Sequence, residues 1–312
     1  MKKLNLTLIV VWCIIGSLII GLLAAGLIWN WNGLGLWGRG ERVSGDGDGL
    51  VAELSSGLDG VNKILIDLTS DECTVIPVDE DVITVRQYGK NLPEGRIARI
   101  ETLGGTLKVT TYNRSLGFSF FIFGWPPREY SRLEIYLPRA FNDKLAVDMT
   151  SGTLDFAGAI GVSDLNIDIT SGIVRSDNEI RADNAVLDLT SGNIRLNGGL
   201  VTQNYLIDLT SGTIRVEGKT TGSGRIDITS GSVRLFGVEI AESLDIDATS
   251  GTIEVQVAGD PSIKFTGDKT SGTFNTYFDL NKNGGYYTGT SGSEPFKSIN
   301  ANITSGSVRI TK

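Results

Sequence analysis

The chain of 312 residues contains no histidine. Its absence removes the commonest general base and the commonest metal ligand together. Cysteine is nearly absent too: Cys13 lies in an apolar N-terminal run and Cys73 far from it, so the pair is not expected to meet in a disulfide, and no Cys-x-x-Cys exists. Proline is scarce at 7 residues while glycine reaches 40 without a Gly-X-Y period, which excludes collagen and a proline-rich linker and fits many regularly spaced turns. Positive charge is in deficit, with 28 Lys and Arg against 36 Asp and Glu. Two of those cations, Lys2 and Lys3, stand at the N-terminus, so the body is more acidic still. An acidic body without a basic patch is a poor nucleic-acid binder, because phosphate contacts need Lys and Arg. The sequence also lacks a Walker loop, a Gly-x-Ser-x-Gly elbow and any zinc motif. No catalytic residue, cofactor or metal site is expected.

What the sequence has first is a long apolar run, TLIVVWCIIGSLIIGLLAAGLIW from Thr7 to Trp29, uninterrupted by charge. At about 1.5 Å per residue, a helix of this length spans a hydrocarbon core of about 30 Å. Lys2 and Lys3 precede it, so the positive-inside rule predicts a cytoplasmic N-terminus and an extracytoplasmic body. Trp29, Trp31 and Trp37 follow where interfacial aromatics belong. A cleaved signal peptide is the alternative, with Ala24-Ala25-Gly26 as its small-x-small pattern, but the run continues apolar past that point. The expected organisation is a cytoplasmic tail over 1–6, a single transmembrane helix over 7–29, a glycine-rich linker over 30–57, an irregular β part over 58–143 and a regular repeat over 144–312.

The repeat is the strongest signal. Thr-Ser-Gly recurs with its Thr at 150, 170, 190, 210, 229, 249, 270, 290 and 304, at spacings of 20, 20, 20, 19, 20, 21, 20 and 14. With the Asp two residues earlier, the core copies are Asp148-x-Thr150-Ser151-Gly152, Asp168-x-Thr170-Ser171-Gly172, Asp188-x-Thr190-Ser191-Gly192 and Asp208-x-Thr210-Ser211-Gly212. Asp227-x-Thr229-Ser230-Gly231 and Asp247-x-Thr249-Ser250-Gly251 continue the series. A degenerate copy, Asp67-Leu68-Thr69-Ser70, carries Asp71 in place of glycine. Each copy alternates apolar and polar residues and favours β-branched side chains, which is strand chemistry. A unit of about 20 residues cannot close a core alone, so neighbours must stack. The prediction is all-β, a parallel β-solenoid of ~20-residue coils with ladders about 4.8 Å apart, roughly 40 Å long for eight or nine coils. A sandwich of hairpins is the runner-up.

Stacking places like charges about 5 Å apart along the Asp column, which is unfavourable unless offset. Three devices could offset it. The favoured one is local hydrogen bonding of each carboxylate to the Thr hydroxyl or the Ser and Gly amides. The others are the ladder of Arg175, Arg195, Arg215, Arg234 and Arg309, or bound cation. Between the degenerate copy and the array lies an aromatic segment with Phe118, Phe120, Phe121, Phe123 and Trp125. It reads either as a cap over the open solenoid end or as a candidate interaction loop for membrane or partner.

The Asp-x-Thr-Ser-Gly-x-Ile-x-Val copies, with Val82-Ile83-Thr84-Val85-Arg86 and Glu134-Ile135-Tyr136-Leu137-Pro138 ahead of them, resemble a bacterial family of β-strand-repeat domains of unknown function labelled putative adhesins. The resemblance covers about 58 to 312 and implies a cell-envelope protein, membrane-anchored in some relatives, with no catalytic motif. A glycosidase-like acid pair would break the repeat at one place, whereas these acids recur at every coil, so an enzyme is not expected. Three non-enzymatic readings stand open. The protein is an adhesin or envelope scaffold binding cell-wall polymer, a regulatory component of an envelope-stress system acting through a membrane protein, or a solenoid that self-associates end to end because its last strand runs to the C-terminus.

Overall fold

The computed structural model describes residues 42–43, 49–90, 92–111 and 130–312. The expected tail, the expected membrane helix over 7–29, most of the expected linker and the aromatic segment Phe118–Trp125 lie outside the described residues. Among the described residues no helix is long and apolar enough to cross a membrane. The linker expectation is corrected at its C-terminal part: Gly49–Gly57 is a strand, antiparallel to Val82–Lys90. The glycines before it masked a short alternation in which Ala52, Leu54 and Ser56 turn inward, past a bulge at Leu50/Ala52.

The regular coils follow from the alternation. In the coil carrying Asp188, the inward side chains are Ile180, Ala182, Ala185, Leu187, Leu189, Ile194 and Leu196, all buried. Two adjacent exposed residues, Asp183 and Asn184, break the period-two pattern and mark one corner. Thr190-Ser191-Gly192 forms the second corner and Asn197–Gly199 the third. Three short runs per coil therefore enclose one apolar column, each fully buried Leu or Ile contributing about 1.5–3 kcal/mol.

Neighbouring coils pair in parallel, with equivalent core positions 20 residues apart, as in Ile167↔Leu187↔Ile207. This overturns the hairpin sandwich. Where the repeat shortens to 19, the pairing slips between Val201 and Asn204, at a corner, and Ile207↔Ile226 is again in phase. A slip inside a run would turn every core side chain outward, so corners absorb length changes. The glycine of the Thr-Ser-Gly corner is sterically required. Gly192 has φ +120°, and a Cβ there would stand 2.2 Å from the carbonyl oxygen of Gly172.

The order of coils in space departs from their order in sequence at both ends. The strand Lys63–Val78 stacks directly on Lys144–Phe156, pairing Asp67 with Asp148 and Ser70 with Ser151. Its other edge is covered by Thr106–Thr110 and Tyr130–Pro138, both parallel to it. Antiparallel strands finish this end: Arg99–Leu103 on Thr106–Thr110, and Val82–Lys90 on Tyr130–Pro138. At the far end, Lys297–Ile303 and Ser307–Thr311 are wedged between the coil of residues 243–257 and the coil of residues 263–276. Tyr286–Ser291 then closes the stack antiparallel to Ile263–Lys269. Two expectations are corrected here. Thr290 belongs to that antiparallel strand and to no corner, and the last strand of the sequence is interior to the stack. Among the described residues, ten parallel strands thus follow one another along the Asp-bearing side.

Candidate functional site

The outward positions before each glycine corner form the most regular polar surface of the described chain. In spatial order the Asp column runs Asp67, Asp148, Asp168, Asp188, Asp208, Asp227, Asp247, Asn302, Asp268. The Thr and Ser that follow are held by backbone bonds to the preceding coil: Thr170 N–H donates to Met149 O at 3.0 Å and Ser171 N–H to Thr150 O at 2.8 Å, and Thr190 and Ser191 repeat this on Ile169 and Thr170. Those amides are committed to the ladder, and among the described residues Asp168, Asp188 and Asp208 make none of the expected local side-chain bonds to the Thr hydroxyl or to the Ser and Gly amides.

The Arg ladder does not neutralise the column either. It lies beyond the corner, where Arg175 faces Asp155 at 3.8 Å and Arg234 faces Glu254 at 3.6 Å. What relieves the column are dispersed contacts near its two ends. Lys108 pairs with Asp67 at 2.6 Å. Arg225, absent from the sequence-based ladder, donates to Asp227 at 2.8 Å and to Asp247 at 3.0 Å. Asn302 donates to the other oxygen of Asp247 at 3.0 Å, and beside it Asn300 donates to Asp245 at 2.7 Å. In the middle, Asp168, Asp188 and Asp208 receive no ion pair or side-chain hydrogen bond among the described residues. Partial burial, then the flanking Asp168 and Asp208 charges, raises the Asp188 carboxyl above its ordinary value. A shallow groove of about 550 Å³ follows the distal half of the column, with Asp208, Asp227, Asp247 and Asp268 along it and Thr229, Thr249 and Thr270 beside them.

The sequence-identified Asp, Thr, Ser and Gly positions from Asp148 to Gly251 therefore come together as continuous ladders. Phe118, Phe120, Phe121, Phe123 and Trp125 lie outside the described residues. Several polar clusters escaped sequence reasoning. Asp71, standing where glycine stands elsewhere, is buried and bonded to Thr111 Oγ1 at 2.6 Å and Arg96 at 3.1 Å. On the antiparallel end, Arg132 lies over the Tyr88 ring at 4.4 Å and Arg86 over Tyr136 at 5.0 Å, joined through Glu134. Amide ladders stitch another corner, Asn184 donating to Asp164 and Asn204 to Asn184. The repeat spacing of 20 was a signal for the last of these, but not for the first two. Cys73 is fully buried, and burial pushes its thiol up, away from the reactive thiolate. Among the described residues no three potential ligands are gathered as for a metal ion.

Coil stacked on coil, with the same polar groups turned outward at each level, defines a β-solenoid-like repeat domain. Residues 61–311 match the family described as Toastrack DUF4097, and the chain belongs to that family. No curated protein matches it. Among solved structures, a putative adhesin from Parabacteroides distasonis is similar over 86% of this chain and 100% of its own, at 13% identity and a TM-score of 0.51. A putative adhesin from Parabacteroides merdae is similar over 86% of this chain and 99% of its own, at 13% identity and a TM-score of 0.49. At 13% identity the likeness to the Parabacteroides distasonis structure concerns the fold.

Proposed function

We propose that the protein is a non-enzymatic, adhesin-like β-repeat protein of the bacterial envelope, tethered by its N-terminal apolar segment and binding cell-wall polymer through the Asp-Thr ladder face. The observation that carries this reading is the uncompensated middle of the column. Three carboxylates at Asp168, Asp188 and Asp208 repeat in register without an ion-pair or side-chain hydrogen-bond partner among the described residues, beside a Thr ladder in the same register. An identical polar group at every coil matches a ligand that itself repeats, and the name of the similar Parabacteroides distasonis structure agrees with a surface-binding role. The test is retention of the solubilised full chain on isolated cell walls. Retention at low salt that drops several-fold in Asp168→Asn/Asp188→Asn/Asp208→Asn is expected. Passage of the unsubstituted protein through the walls at low salt would remove the reading.

A second reading, a regulatory component acting through a membrane protein, is favoured by a different observation. Gly49, Gly89 and Ser131 stand side by side across three strands, about 10 Å from first to last. The chain arriving from the apolar segment and the chain leaving Phe118–Trp125 thus join the fold at one edge. In this reading a single-pass anchor with a cytoplasmic N-terminus tethers the repeat domain, and the aromatic segment Phe118–Trp125 is the stretch that recognises lipid or a membrane partner. Cross-linking in whole cells followed by mass spectrometry tests it: a stoichiometric membrane protein linked near residues 112–129 is expected, and links confined to wall fragments would count against it.

A further inference from the structure

The distal end of the stack holds a coil-wide slot filled out of order. The repeat series reaches Thr249 and then Thr270, 21 residues on, a spacing like those that place earlier repeats on adjacent levels. Yet these two repeats are not neighbours. Lys297–Ile303 separates them on one side, pairing Asp247↔Asn302 and Asp268↔Asn302, and Ser307–Thr311 separates them on the next, pairing Val255↔Ile310 and Thr276↔Ile310. The connection 258–262 must therefore climb two levels, about 10 Å, to leave the slot open.

Both walls of the slot meet the filling coil with the bonds used throughout the stack. Thr304 N–H donates to Ala248 O and Ser305 N–H to Thr249 O on one wall, while Thr270 and Ser271 donate to Ile303 O and Thr304 O on the other. The glycine corner continues through it as well, Gly306 stacking on Gly251 and Gly272 on Gly306. What distinguishes the filling coil is its neutral face. Asn302 stands where every other regular coil carries Asp, donating to Asp247, and Asn300 donates to Asp245 while its own carbonyl oxygen accepts from Thr266. Were the coil withdrawn and the slot closed up, Asp247 and Asp268 would face each other across one ladder step, an unfavourable like-charge pair. The slot is thus written for an amide-bearing strand pair, and every recognition element acts between separate stretches of chain. The filler reaches the slot through 292–296, Gly292-Ser293-Glu294-Pro295-Phe296, a short stretch with glycine and proline.

We propose that the coil formed by Lys297–Thr311 is exchangeable between copies of this chain, so that the coil of one copy fills the slot of a second and yields a reciprocal, strand-swapped pair. Nothing in the slot depends on which chain supplies the filler, and exchange of an identical element is a low-cost route to a dimer. This is a route to self-association other than end-to-end stacking, and it leaves in place Tyr286–Ser291, which lies antiparallel over Ile263–Lys269 at the distal end.

Gln256 and Thr311 are cross-strand partners in the slot, so the test uses full-length chains carrying Gln256→Cys or Thr311→Cys, each with Cys13→Ser. Neither copy can close the link alone. Mixed under mild oxidation, they should form a dimer joined between positions 256 and 311, and Asn300→Asp/Asn302→Asp should raise its yield or rate several-fold by loosening the filler. No link between copies, under conditions where the double Gln256→Cys/Thr311→Cys chain closes its own link, would overturn the proposal. If the double chain does not close, native mass spectrometry of mixed heavy- and light-isotope full-length protein decides. Mixed dimers that increase with the Asn→Asp substitutions support exchange, and monomers alone after prolonged mixing overturn it.

Discussion

At Gly192 a methyl group would meet the carbonyl oxygen of the glycine one coil below, at 2.2 Å and with φ at +120°. Gly192→Ala is therefore expected to cost about 2–4 kcal/mol, read as a lower denaturant midpoint. Gly284→Ala, at φ +63° with nothing within 4 Å, should cost only about 1 kcal/mol. Equal losses would show that the stacked glycines carry no steric demand. Asp188 sets a second residue-scale expectation. Its carboxyl is raised in the folded chain by burial and by Asp168 and Asp208, so folding favours its protonated form. Its contribution is most favourable at or below the ordinary value of 3.8 and is lost as pH rises through the higher folded value. Asp188→Asn should thus stabilise the protein at pH 7 relative to the parent, with the gap closing toward pH 3.5. Denaturant titrations at the two pH values check this, and a gap that widens on acidification contradicts it. Both residues were legible from spacing alone, because a strict repeat forces equivalent side chains into one ladder. That Asp168, Asp188 and Asp208 lack the expected bonds to the Thr hydroxyl or the Ser and Gly amides among the described residues was not legible, since spacing does not tell that the Ser amide is taken by the coil below.

Elements at the proximal end depend on contacts that no periodicity encodes. Asp71 replaces the corner glycine because no regular coil follows on that side; Thr111 and Arg96, 40 and 25 residues away, close over it. Arg96→Met would leave a buried carboxylate short of its cation, and a loss of about 2–3 kcal/mol is expected. The loss should be local, seen as faster amide exchange in Arg99–Leu103 and Thr106–Thr110 before the regular coils exchange; uniform acceleration along the whole stack would argue against a lock at this end. The alternation of Arg132–Pro138 and Val82–Arg86 was readable as strands, yet their antiparallel pairing was not. Glycine content likewise disguised Gly49–Gly57 as linker. Composition reports an average, whereas a strand needs only three or four inward residues in phase.

For the molecule as a whole, the parallel stack and its outward ladders were legible in the sequence, while the order of levels at either end was not. Spacing specifies which residues are equivalent and is silent about which edge of a coil is filled next. The ends are also where the solenoid departs from repetition: coils of residues 63–78 and 297–311 are each enclosed on both edges by other strands. The middle coils, by contrast, are interchangeable in register. Removal of residues 171–190 joins Thr170 to Ser191 and restores an intact corner, so the shortened chain should fold with unchanged strand content per residue. Small-angle scattering should find it shorter by about 5 Å, and an aggregated or unfolded product would contradict the independence of middle from ends.

That independence bears on how such a protein changes over generations. Because each end of the stack is built from its own out-of-sequence coil and closing antiparallel strands, a tandem duplication or loss of one twenty-residue unit in between leaves both ends untouched. Reach can then drift like the extension of a telescoping ruler, lengthened or shortened one notch at a time, without a new closure having to be invented at each step.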